Sequence, residues 1–393
     1  MLLLLLAMAS SGFVLQTLSF SLPALVRAWG VDAPALSAAF TLHLLGITAG
    51  ALAFGRLGDL VGRRRVLLGA AALQGIATLA CVACSSTSGL AAMRLLAGMG
   101  IGGIAANAVA LAVDMAPRRG SSLWTTLVLS GVAVGSSLPA LVVHWGAAPM
   151  RWQLLFWIGG AGTLLLLPVL ALALPEKRQH TAAGEPTDTR GGFRELFAPQ
   201  RAWITVTLWA AFAGSMLAMH LVTSWLPLLL EAEGHAATRA ATLTGWIHAA
   251  GVGAVFLSAP AFARFGLHWL SVLLGIAFTS AALLAAFGLG NGALGVLMIA
   301  FGFGLVGSQS VLGTLAGHLY PERCRSTGVG AAMAAGRLGS MVGPLAGGAM
   351  QAAGYPARSM FTLPLWAIAV ALLATGLLAS LAGRAGRNHT AGS

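Results

Sequence analysis

The sequence predicts an all-α membrane protein: twelve transmembrane helices in two pseudo-symmetric six-helix bundles. Three observations carry that prediction. They are an apolar composition, twelve apolar runs of membrane-crossing length, and a repeat relating the first six runs to the second six. Hydrophobic residues fill 58% of the 393 positions and charged residues 8%, where a soluble domain has about 45–50% and about 25%. One water-soluble core cannot enclose that much apolar surface, so the lipid bilayer is the expected surrounding. The net charge of +12 suggests nucleic acid when a protein is soluble. Here the arginines fall in short loops with no basic face, and nucleic acid is not an expected partner.

A span needs roughly 20 apolar residues. Polar or Gly/Pro clusters divide the chain into spans at 3–29, 34–55, 65–84, 88–114, 121–145 and 151–174. A second six follow at 202–230, 238–262, 268–288, 292–318, 325–352 and 358–382. The opening MLLLLLAMASS has no basic stretch before it, and its apolar pattern continues to Trp29. It reads as the first span rather than a cleaved leader. The expected organisation is a first bundle (1–174), a polar cytoplasmic linker (175–200), a second bundle (201–383) and a cytoplasmic tail (384–393). Cys81 and Cys84 stand one helical turn apart and Cys324 is remote. That spacing reads as packing, with neither a disulfide framework nor a metal site. No cofactor is expected.

Orientation follows from the Lys/Arg asymmetry. With the Gly55–Arg65 loop inside, most of the 22 basic residues share its side, and Arg27, Arg151, Arg239 and Arg358 fall outside. Both termini are then cytoplasmic. The repeat appears on shifting the sequence by 204 residues. LPALVRAWG (22–30) then lies on LPLLLEAEG (226–234), Gly62 on Gly266, Gly98, Gly100 and Gly103 on Gly302, Gly304 and Gly307, and Gly135-Ser136 on Gly339-Ser340. A duplicated bundle with a substrate site between its halves near the midplane is a transporter arrangement.

The stretch Gly55–Arg65, GRLGDLVGRRR, packs one acid, four arginines and three glycines into eleven positions. It resembles the signature between the second and third helices of the major facilitator superfamily. Its second-half copy, APAFARFGLHW (259–269), is degenerate, with Ala263 at the place of the acid. RLLAGMGIGGIAANAVAL (94–111), WLPLLLEAEG (225–234), GSQS (307–310) and YPERCRSTGVGAAMAAGRLGSMVGPLAGG (320–348) resemble the aromatic acid:proton symporter branch. The resemblance covers nearly the whole chain. It implies the major facilitator fold, a monomer in a bacterial-type inner (plasma) membrane, and uptake of small aromatic carboxylates such as benzoates or hydroxybenzoates with protons. One departure stands out. The branch carries acids in its first helix in a D-G-F-D pattern, and this chain has Ser11-Gly12-Phe13-Val14 there.

Two arginines remain inside the membrane once the loops are assigned: Arg94 in the fourth span and Arg337 in the eleventh. A central arginine costs about 2.5–3.5 kcal/mol on insertion scales and usually faces a cavity with a partner. Arg337 lies roughly 18 Å along its span from Arg325, near the midplane. All ten acids fall in loops or at span ends, so the missing counter-charge is expected to be the substrate's own carboxylate on a planar guanidinium. The competing readings are an arginine bonded to backbone carbonyls and one that snorkels outward. The resemblance implies functional sensitivity at both positions.

Gln16, His43, Asn107, His220, Trp225, Trp246, His248 and Gln309 fall at cavity depth, and Phe13, Phe20, Trp225 and Trp246 are expected to supply a ring-stacking wall. The expected substrate residues are Arg337, Arg94, Gln309, Asn107, His220, Gln16, Trp225, Trp246 and Phe20. His43, His220, His248, Asp59 and Asp114 are the proton-coupling candidates, because imidazole titrates near neutrality and a desolvated acid can be raised to it. A cytoplasmic gate is expected from Gly55, Gly58, Asp59, Gly62, Arg63, Arg64, Asp114, Arg118, Arg323 and Arg325. Arg27 and Glu231 occupy equivalent positions in the two halves and are candidates for an outer latch. The partners expected are a small organic anion, protons and the bilayer. The competing functions are a proton-driven drug exporter and a proton-independent anion facilitator or exchanger. The chain has no HExxH or GxSxG motif and no paired membrane acids, so an intramembrane enzyme is not the reading.

Overall fold

Leucine, alanine and other helix formers fill the apolar runs, and in lipid a helix satisfies every backbone N–H and C=O within its own segment. The computed structural model describes residues 1–116, 121–146, 151–174, 194–198, 201–288, 292–320 and 324–390. Twelve long helices stand among them. In the first half they are α1 (Leu2–Trp29), α2 (Ser37–Val61), α3 (Arg63–Ala80), α4 (Thr87–Met115), α5 (Ser121–Trp145) and α6 (Gln153–Ala173). In the second they are α7 (Ala202–Ala232), α8 (Ala237–Phe265), α9 (Leu267–Phe287), α10 (Leu294–Leu319), α11 (Arg325–Ala352) and α12 (Thr362–Thr390). All but α11 are apolar enough to be recognised as membrane spans by length and composition. In α11, Arg337, Ser340 and a run of glycines dilute the apolar content.

Two expected boundaries shift. The stretch read as a loop at Gly55–Arg65 is helical up to Val61, and Gly62 alone turns the chain, with φ 114°. At the other end α12 runs to Thr390 instead of stopping at 382, its Ala, Leu and Arg residues favouring continued helix. Apart from 194–198, the 175–200 linker lies outside the described residues.

The helices pack in a repeated pattern. α1 packs on α5 and α6, α2 on α4, and α3 on α4 and α6; α7 packs on α11 and α12, α8 on α10, and α9 on α10 and α12. The halves meet through α1–α7, α2–α11 and α5–α8. A two-fold relation exchanges the last two pairs and maps the first onto itself. The 204-residue shift is therefore a rotation about an axis running between α1 and α7.

Contact details obey the same shift. A Cβ on Gly98 would strike the His43 carbonyl, and one on Gly302 would strike the Ile247 carbonyl, both partners 204 residues apart. Gly135 sits on the Ala9 carbonyl and Gly339 on the Ala213 carbonyl, again by the same offset. Where no hydrophobic force drives helices together, close backbone approach through small residues supplies the packing. The positive-φ glycines Gly30 and Gly62 likewise recur as Gly234 and Gly266.

The glycine contacts predict a selective cost. Gly98→Ala and Gly302→Ala are each expected to lose about 1–3 kcal/mol through overpacking. Gly275→Ala in α9, with open space around it, is expected to be neutral or to gain up to about 1 kcal/mol. Thermal unfolding of the purified protein in detergent measures the three side by side; equal melting points would remove the backbone-contact account.

Candidate functional site

Residues on the axis face of α1 and α7 meet their own equivalents. At the end of the bundle Arg27 Nη1 lies 2.6 Å from Glu231 Oε2. Further in, Pro227 has no N–H to give, which leaves the Thr223 carbonyl four residues back without its helical donor. Ser19 Oγ donates to that carbonyl and, at 3.2 Å, to the next one, that of Ser224. Other contacts close the same end. Thr41 Oγ1 donates to the Met341 carbonyl at 3.3 Å between α2 and α11. His144 Nδ1 approaches Thr242 Oγ1 at 3.2 Å between α5 and α8. Thr242 already donates its hydroxyl proton to the Thr238 carbonyl, so His144 is the donor in that pair.

The two membrane arginines have different surroundings. Arg94 is fully buried in α4. It donates to the carbonyls of Val14 at 3.0 Å and Leu15 at 3.3 Å on α1, while its Nε has no partner. Its own carbonyl accepts from His43 Nδ1 at 2.7 Å, which fixes that tautomer and leaves His43 Nε2 as a buried, unpartnered acceptor. The expectation that Arg94 grips substrate is therefore corrected: its fork is held by α1 backbone. Arg337 on α11 is half-buried, and among the described residues its guanidinium has no hydrogen bond or ion pair. Its main-chain carbonyl accepts from Ser340 at 2.7 Å. Among the described residues the unpaired cation of the site is Arg337.

Around Arg337 the second half supplies histidines. His220 on α7 is half-buried and lies within electrostatic range of Arg337 and His248. It also reaches His43 of the first half. His248 on α8 is 5% exposed with Nε2 unpartnered. Gln16, 5% exposed on α1, makes no side-chain hydrogen bond among the described residues. Gln309 Nε2 is 3.5 Å from the Ser215 carbonyl on α7, a long contact that leaves most of its capacity free. His43, His220, His248 and Arg337 form one polar zone where the halves meet, inside the closed end.

Several expected site residues stand elsewhere. Asn107 is buried and gives its amide N–H groups to the carbonyls of Phe54 at 3.0 Å and Gly103 at 2.9 Å; its Oδ1 occupies the place a side chain at Gly58 would need. It clamps α4 to α2 instead of facing a cavity. Trp225 is fully buried, donates to the Pro344 carbonyl at 3.1 Å and lies 5.8 Å from Phe40, so it seals α7 against α11. Trp246 is 42% exposed and shares an outer face of α8 with Leu257, three turns on. Phe20 and Phe13 pack with Ala140, Val143, Leu155 and Ala241 in an apolar seam between α1, α5, α6 and α8.

At the opposite end Arg63 joins Asp114 at 2.7 Å and Asp59 at 3.1 Å. Arg64 donates to the Ala171 carbonyl of α6. Arg325 Nε donates to the Tyr320 carbonyl at 3.3 Å. Gly55 lies against Ala106 of α4. These contacts stay within one half each, and Asp59 and Asp114 are exposed rather than desolvated. Arg118 and Arg323 lie outside the described residues. Sequence reasoning missed a buried triad: Ser11 Oγ donates to Gln74 at 2.9 Å, and Gln74 Nε2 to Thr163 at 3.1 Å. It joins α1, α3 and α6, so position 11 points into the first half, away from the axis.

A duplicated twelve-helix bundle with a polar zone on its two-fold axis is the form of a membrane transporter. The chain belongs to the Major Facilitator Superfamily, whose pattern it matches over residues 4–344. It is 33% identical to a 3-(3-hydroxy-phenyl)propionate transporter of Escherichia coli (strain K12), covering 94% of this chain and 91% of that one. It is 30% identical to a gallate transporter of Pseudomonas putida, covering 93% and 88%. A benzoate transport protein of Acinetobacter baylyi is 24% identical over 85% of this chain and 79% of its own. Among solved structures, a D-xylose-proton symporter superposes with a TM-score of 0.77 at 15% identity, covering 96% of each chain.

The two arginines differ in a measurable way. Arg94→Lys keeps the buried charge but replaces the planar fork by a point-like ammonium that does not reproduce its geometry at both carbonyls, and is expected to lose about 1.5–3 kcal/mol, the worth of one charged hydrogen bond. Arg337→Lys has no side-chain bond to lose among the described residues and is expected to stay within about 0.5 kcal/mol of the parent. Melting curves in detergent, without substrate, check the contrast, and the reverse order would reassign the two roles.

Proposed function

We propose that this protein imports a small aromatic carboxylate by proton symport and alternating access, with Arg337 as the carboxylate receptor. The observation that carries the reading is a half-buried guanidinium without a counter-ion among the described residues, beside the axis of a chain whose relatives are aromatic-acid transporters. A carboxylate matches its planar fork with two parallel bonds. With the Gly55–Arg65 end inside, as the arginine asymmetry requires, closure at Arg27–Glu231 leaves the substrate zone facing the cytoplasm. Closing the opposite end then uses the basic residues Arg63, Arg64 and Arg325. The proton rides on the linked histidines His43, His220 and His248. Anion and proton favour each other's binding there, and that linkage is reciprocal.

A second reading, a proton-independent facilitator, is favoured by one observation. The branch's first-helix acids are replaced by Ser11, tied into its triad, and Val14, whose carbonyl holds Arg94.

Uptake of labelled benzoate into proteoliposomes separates the two. An inward proton gradient is expected to drive accumulation above equilibrium, and a protonophore to abolish it. Arg337→Ala is expected to weaken benzoate binding about 10–100-fold, matching loss of one charged hydrogen bond. Uptake that only equilibrates would leave the facilitator, and competition by cationic dyes without benzoate uptake would leave an exporter.

A further inference from the structure

The axis pairs on α1 and α7 extend beyond the latch. Arg27 and Glu231 are equivalent under the 204-residue shift and bonded at 2.6 Å. Ser19 and Thr223 are equivalent and hydrogen-bonded. Eleven residues inward from the latch, three helical turns or about 17 Å, stand Gln16 and His220. At 100° per residue, eleven steps return a side chain to within about 20° of its starting direction, so Gln16 shares Arg27's face and His220 shares Glu231's. They too are equivalent, yet no hydrogen bond joins them. His220 lies within electrostatic range of His43 on one side and of Arg337 and His248 on the other, which places it between the halves. The axis side thus passes from paired equivalents to an amide on α1 and an imidazole on α7 that are both unpaired among the described residues.

We infer that Gln16 and His220 together read a hydroxyl on the ring of the substrate, fixing the end of the molecule away from its carboxylate. This rests on the reading of Arg337 as carboxylate receptor. A hydroxyl has one proton to give and lone pairs to receive. The Gln16 carbonyl accepts the proton, and an imidazole N–H of His220 donates to the oxygen, in either protonation state of the ring. An unsubstituted ring leaves both groups without partners in a dehydrated site, and sites built to bond a substrate hydroxyl reject the analogue that lacks it. Among the described residues neither side chain hydrogen-bonds to protein, so each keeps its donor and acceptor capacity for a ligand.

Binding of benzoate and of its three monohydroxylated isomers to the purified protein, by calorimetry, tests the inference. At least one hydroxylated isomer is expected to bind about tenfold or more tighter than benzoate, as one satisfied hydrogen bond requires. Gln16→Leu and His220→Leu are expected to bring that ratio down to about one. His220→Gln, which keeps a donor and an acceptor, is expected to retain a ratio well above one. Benzoate binding with no preference for any isomer, or a preference that survives both leucine variants, overturns this assignment and leaves Arg337 in place. No binding of any of the four acids overturns both readings.

Discussion

Backbone seated on backbone holds each half together. Lipid chains are as apolar as leucine, so helices in a membrane gain little by hiding side chains from their surroundings. They gain by approaching closely. Gly98 on the His43 carbonyl, Gly102 on the Ile47 carbonyl and Gly46 on the Leu95 carbonyl bring α2 and α4 together with no intervening side chain. Gly12, Gly131 and Gly135 do the same for α1 and α5. Each such contact fixes register, because sliding by one residue puts a Cβ where a glycine hydrogen had been. The second half repeats the scheme at Gly302 and Gly339. The rest of the architecture, including the two-fold axis and what faces it, is a consequence of those registers.

The same rigidity explains why the arginines differ. α4 is locked to α2, and Arg94 projects from it to the carbonyls of Val14 and Leu15, so it ties α1 to the locked pair. A guanidinium held by carbonyls is neutralised by dipoles rather than by an anion, and its orphaned Nε marks an incomplete match. Arg337 makes no such bond among the described residues. A cation in that condition is costly unless water or an anion attends it, and a transporter's cavity provides both.

Much of this was legible in the sequence, and particular residues show why. The twelve helices, the 204-residue repeat and the Arg27–Glu231 pair followed from periodicity and charge. Asp59, Asp114 and Arg63 pair as their positions suggested. The Ser19–Thr223 contact was also readable in principle, since a proline at 227 announces a free carbonyl at 223. What depth alone could not settle was direction. Asn107, Trp225, Trp246 and Phe20 all sit at cavity depth, yet one clamps α2, one seals α11, one faces outward and one fills a seam. A helix of Gly, Ala and Leu carries little amphipathic pattern to say which face looks inward. For Asn107 the signal lay in its partner: a signature glycine at 58 leaves room for the amide.

The contacts between halves are of another kind. Arg27 is 63% exposed in its pair with Glu231, and exposed ion pairs contribute about 0–1 kcal/mol. Thr41 to Met341 and His144 to Thr242 are single bonds of 3.3 and 3.2 Å, and a typical protein hydrogen bond has a net worth of about 0.5–1.5 kcal/mol. The polar bonds closing this end are therefore weak and separately breakable, beside an apolar seam in which Phe13, Phe20 and Ala140 meet Ala241, while each half is held by contacts that admit no sliding. A rocking transporter needs that division. Differential binding of a ligand shifts an equilibrium by a few kcal/mol at most, enough to exchange one set of weak bonds for another at the opposite end and too little to repack a glycine-seated interface. Backbone-seated glycines such as Gly98, Gly135, Gly302 and Gly339 lie within the halves, whereas Arg27, Thr41 and His144 bond between them.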